Sequence, residues 1–101
     1  MAFLRRTIEI ERILRGIADK AGFDFPPKIS PTRIAKELAA KGILSMDILE
    51  RFLAIWDIRN RTAHGYEMPT SITRQSLEVA VAFLHTLERL SDELAARRQG
   101  P

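Results

Sequence analysis

The chain has 101 residues, no cysteine and a formal net charge of +3, with a pI near 9.8. That length bounds it to a single domain, residues 1–101, and the missing cysteines exclude disulfides, thiolate metal sites and a cysteine nucleophile. Apolar residues make up 46% and charged residues 29%, enough for one modest core beneath a polar surface.

No apolar run approaches the ~18 residues that a membrane span needs. The opening "MAFLRRTIEIERIL" is interrupted by Arg5, Arg6, Glu9, Glu11 and Arg12 and lacks the apolar core and small-residue cleavage site of a secretion signal. A cytoplasmic location without membrane contact is the expectation. Most of the basic residues are Arg, whose planar fork suits phosphate, and a basic chain is easily placed beside nucleic acid. The same mild excess commonly serves solubility alone. A core this small is marginal, and dimerisation is one way to bury more surface.

Four amphipathic segments follow in chain order, and none alternates like a strand. The first spans Phe3 to Ala21, with Leu4, Ile8, Ile10, Ile13, Leu14, Ile17 and Ala21 at helical spacing. Glu11 and Arg15 form an i,i+4 pair away from that stripe, and Gly22 supplies a stop. "FDFPPKISP" is a loop, because adjacent prolines cannot continue a helix.

The second segment, Pro31 to Lys41, is short. Ser30 is its cap, Pro31 takes the first helical position, Ile34, Ala35, Leu38 and Ala39 form its apolar face, and Gly42 ends it. The third begins at Ser45, which can cap it, and runs to about Ala63 or His64. Asp47 complements the dipole of its first turn, and Ile48, Leu49, Phe52, Leu53, Ile55 and Trp56 give it a wide apolar face. Gly65 ends this helix, and Pro69 bars a restart before it. The fourth is expected over Arg74 to Ala96, capped by Thr73, stapled by Ile72 and Leu77, and fraying at "RRQGP". Its stripe is Leu77, Ala80, Val81, Leu84, Leu87, Leu90 and Leu94. The fold class is therefore all-α: a four-helix bundle with one short helix.

The informative stretch is "RNRTAHGY", Arg59 to Tyr66, at the end of the third helix. Asn60 and His64 are four apart and share a face. Arg59 lies about 140° round from His64, so the three border a groove. Arg59 stacks above Trp56 and Ile55 at the edge of the apolar face, where a charge must reach outward or find a partner. In the last turn, the negative end of the helix dipole favours protonated His64. Proton exchange beside fixed guanidinium groups suits a reaction in which a phosphate gains charge. A plain helix end also carries such residues: His is a common choice there, and Arg59 and Arg61 could simply be solvated.

His85, mid-way along the fourth segment, reads as a surface or partly buried histidine. Trp56 reads as core. With two histidines and no His-x3-His pattern, neither a metal site nor any cofactor is expected.

The string Arg59-Asn60-Arg61-Thr62-Ala63-His64 resembles the Arg-x(4–6)-His signature of the HEPN superfamily, in which a polar residue, often Asn, follows the Arg. There the motif also lies towards the end of the third main helix, before a loop and a long last helix. The likeness covers the whole domain in architecture and about eight residues in motif. It implies a HEPN-like bundle forming a symmetric homodimer, with motif residues of both protomers lining one cleft. The implied activity is that of a metal-independent endoribonuclease acting on RNA through its 2′-OH. Arg59 would hold the scissile phosphate, with Arg61 adding phosphate contacts. His64 would transfer protons, and Asn60 would position groups or bind the phosphate. Products would carry a 2′,3′-cyclic phosphate and a 5′-OH.

Arg59-x4-His64-x-Tyr66 further resembles the form found in HEPN toxins paired with nucleotidyltransferase antitoxins. In those systems the antitoxin modifies the tyrosine with AMP, which makes Tyr66 the candidate for regulatory modification; packing over the helix end is its plainer role. Two readings from other classes stand beside the nuclease. One is a non-catalytic HEPN-like module that binds a nucleotide, RNA or a protein at its dimer cleft. The other is a purely structural dimerisation bundle.

Overall fold

A computed structural model describes the backbone of residues 2–63 and 70–99, and the side chains of 2–62 and 74–97. Among the described residues the protein is all-helical: α1 (Ala2–Lys20), α2 (Pro31–Ala40), α3 (Met46–Ala63) and α4 (Thr70–Gln99). One continuous core unites them, centred on Ile10, Leu14, Ile17, Ile34, Leu38, Leu44, Phe52, Ile55 and Leu87.

Local chemistry explains how the first two helices end. At the end of α1 the Phe23 N–H donates to the Ala18 carbonyl at 3.0 Å and the Gly22 N–H to Asp19 at 3.1 Å. At the end of α2 the Ile43 N–H donates to Leu38 at 2.9 Å and the Gly42 N–H to Ala39 at 3.0 Å. Both are Schellman closures, which need a left-handed residue after the last turn. Gly22 at φ +88° and Gly42 at φ +76° supply it without a Cβ penalty. The apolar residue after each glycine, Phe23 or Ile43, packs against the core. The expected starts of α2 and α3 are also found. Ser30 Oγ accepts from the Arg33 N–H at 3.2 Å, and Ser45 Oγ from the Ile48 N–H at 3.1 Å.

Along α1 the buried stripe is Phe3, Thr7, Ile10, Leu14 and Ile17, a three-four spacing that faces one direction. Thr7 fits this apolar register because its hydroxyl donates to the Leu4 carbonyl at 2.7 Å. Ile8 was expected on the stripe and is instead 62% exposed. It lies about 100° round from Thr7. The expected Glu11–Arg15 pair forms at 3.1 Å, and Arg15 also donates to the Ile29 carbonyl at 2.8 Å, tying the proline loop back to α1. Lys20 Nζ donates to Ser91 Oγ at 2.6 Å, linking α1 to α4.

The start of α4 corrects the sequence reading. The helix begins at Thr70, so Thr73 is its fourth residue and not its cap, and the staple expected of Ile72 and Leu77 is not at its entry. A proline just ahead of a helix removes no ladder bond, which leaves the earlier start open. The helix also runs past Ala96 to Gln99. Its buried side is Ser76, Ala80, Phe83, Leu84 and Leu87, continued by half-buried Leu90 and Leu94. Phe83 takes a core position that the expected stripe left to Leu77 and Val81. No helix among the described residues is long and apolar enough to cross a membrane.

Candidate functional site

The site is built on the rotation of α3. Leu49, Phe52, Ile55 and Trp56 are buried in the core, and Arg59 is the next residue along that stripe, one turn beyond Trp56. Its alkyl stem therefore begins at the core and its head group must leave it. The guanidinium carbon sits over the Trp56 ring, 5.3 Å from its centroid. One Nη of Arg59 donates to Asn60 Oδ1 at 3.1 Å. Among the described residues, no carboxylate pairs with Arg59.

The Trp56 ring is anchored from below. It is 5% exposed and stacks on Phe52, with centroids 4.9 Å apart and planes 18° from parallel. Phe52 in turn lies 6.3 Å from the Phe83 ring of α4. A guanidinium on an anchored indole face gains about 0.5–1 kcal/mol at exposed sites and ~2 when desolvated. The ring does this without neutralising the charge, so Arg59 keeps N–H groups for an anion.

Arg61 is held differently. Its Nη2 is 3.0 Å from Asp57 Oδ2, one turn back, and both side chains are 60% exposed. Thr62 Oγ1 donates to the Ile58 carbonyl at 2.9 Å, closing off its own hydroxyl. The structure thus brings Arg59 and Asn60 together and pairs Arg61 with a carboxylate. His64 and Tyr66 lie outside the described residues. Beside this turn, α3 and α4 leave a cleft of about 300 Å³ lined by Ala54, Ile55, Ile58, Gln75, Ser76 and Val79.

Trp56 was expected in the core, with Arg59 stacked above it, and is there; what sequence reasoning left unsaid is that the guanidinium sits on the indole face. The signal was the three-residue spacing between an aromatic residue and an arginine on one helix face. His85 is exposed, with Nδ1 3.8 Å from the Glu88 carboxylate. Comparison with family models, with curated proteins and with solved structures finds no match to this chain.

Proposed function

We propose that this chain is a HEPN-type, metal-independent endoribonuclease that works as a homodimer. The observation that carries the reading is an arginine free of any carboxylate among the described residues, steadied by Trp56 and Asn60, at the head of the Arg59-Asn60-x3-His64-x-Tyr66 string. Arg61, though paired with Asp57, adds positive potential close by.

In the proposed reaction, neutral His64 takes the proton from a ribose 2′-OH. The 2′ oxygen attacks the adjacent phosphorus, and the bond to the 5′ oxygen breaks. The leaving oxygen gains a proton from an imidazolium or from water, giving a 2′,3′-cyclic phosphate and a 5′-OH. Arg59 binds the phosphate oxygens, on which charge builds in the transition state. Two-fold symmetry brings a second Arg59 and His64 to the same pocket. Tyr66 is the residue on which AMP transfer by a nucleotidyltransferase antitoxin would block the nuclease.

The test is cleavage of single-stranded RNA by the purified protein in the presence of a chelator. Wild type is expected to release cyclic-phosphate ends, and a 2′-deoxy nucleotide at the scissile position to stop cleavage. His64→Ala should slow the reaction about 10²-fold or more. A wild-type protein that binds RNA but never cleaves it would leave the non-catalytic module standing instead.

A further inference from the structure

We infer that Trp56 is a positioning residue for phosphate recognition: its indole face and the Asn60 carbonyl hold the Arg59 guanidinium in one orientation, aimed at a phosphodiester. The inference rests on the proposed RNA reading and adds to it a residue that the motif does not contain. Two contacts fix the head group from different sides. The ring lies beneath it, with the guanidinium carbon 5.3 Å from the centroid, and Asn60 Oδ1 engages one Nη at 3.1 Å. A planar fork fixed in this way loses less rotamer freedom when it grips an anion. The ring itself cannot swing away, because it is buried and stacked on Phe52.

Asn60 accepts from Arg59 through its side-chain oxygen and is exposed. Its amide nitrogen carries two further N–H donors beside those of the guanidinium. A carbonyl partner orients Arg59 and leaves its charge intact, whereas a carboxylate would cancel it. Asn60→Asp should therefore weaken anion binding although it changes a single atom.

The chain has one tryptophan, so emission excited on the red edge reports this site alone. The probe is a short 2′-O-methyl RNA, which keeps the phosphodiesters and cannot be cleaved. Affinity is read by anisotropy of a labelled probe, and tryptophan emission with the unlabelled one. Trp56→Leu should weaken binding about three- to tenfold, and Trp56→Phe less, in line with the strength of a cation on an aromatic face. On an Arg59→Ala background, Trp56→Leu should add no further loss, because Trp56 acts only through Arg59. Saturating probe should shift the wild-type emission and leave that of Arg59→Ala unmoved.

If Arg59→Ala weakens binding but Trp56→Leu and Trp56→Phe do not, the positioning role is overturned and the phosphate reading survives. A Trp56→Leu loss that is as large without Arg59 as with it also overturns the role. If Arg59→Ala binds as well as wild type, the phosphate reading falls and this inference with it. Should Trp56→Leu fail to fold by circular dichroism, Trp56→Phe and the wild-type emission decide: no change in either overturns the role.

Discussion

The two ends of α3 are built on different principles. At its start the charges and caps are answered locally: Ser45 caps the Ile48 N–H, and Asp47 pairs with Arg51 at 2.9 Å. At its far end Arg61 repeats that pattern with Asp57, but Arg59 two residues earlier does not. Its partners are a ring and an amide carbonyl, and neither carries charge. An ion pair on a helix surface sets the opposite charge beside a cation and weakens its field. An aromatic face steadies a cation and leaves its field intact. The second arrangement leaves a cation able to receive an anion.

The largest effect should come from cutting the support beneath Arg59. Phe52 is fully buried and stacked under Trp56, so Phe52→Ala should cost about 3–5 kcal/mol in urea unfolding. If the ring stack matters to the far end as claimed, the variant that still folds in low denaturant should also bind RNA more weakly.

A sharper break sets the two arginines against each other. Arg59→Ala is expected to lower RNA affinity about tenfold, the value of a charge-assisted contact. Arg61→Ala should lower it only about twofold, since its charge is already answered by Asp57. Equal losses in anisotropy titrations would erase the distinction drawn between the two.

At the quiet end, Ser45→Ala should cost about 1 kcal/mol of stability and leave RNA affinity unchanged. Thermal or urea unfolding beside the same titration checks both halves.

What could be read in advance follows the same division between local and non-local causes. Ser30, Ser45, Gly22 and Gly42 marked helix ends because each acts on backbone groups within a few residues of itself. The start of α4 was misplaced because Thr70, Ser71 and Thr73 all offer similar capping chemistry, so the sequence alone does not choose among them. Ile8 was put on the wrong side because Thr7 reads as polar, yet sits in the core once its hydroxyl bonds back to Leu4. At the candidate site, the positions of Arg59 and Asn60 were legible from helical spacing. That Trp56 lies beneath Arg59 was legible too, but not that the guanidinium rests on its ring, since spacing places two side chains on one face without saying which rotamer brings them together.

The smallest expected effect is also the most discriminating. Asp47→Asn and Asp57→Asn each remove one exposed i,i+4 ion pair, worth only about 0.2–0.5 kcal/mol in unfolding, and Asp47→Asn also gives up about 0.3–1 kcal/mol of helix-dipole stabilisation in the first turn. They are nearly the same chemical change at opposite ends of one helix. If the field near Arg59 is what RNA meets, they must part company in binding. Asp57→Asn releases Arg61 beside the site and should tighten RNA binding about twofold at roughly 0.1 M salt, where the Debye length is ~10 Å, a gain that shrinks as ionic strength rises. Asp47→Asn releases Arg51 ten residues before Arg61, about 15 Å along the helix, beyond the reach of screened charge at ordinary salt. Its binding should match wild type. A gain at both ends would mean that RNA is held by the net charge of the chain, with no privileged place for the turn that carries Arg59.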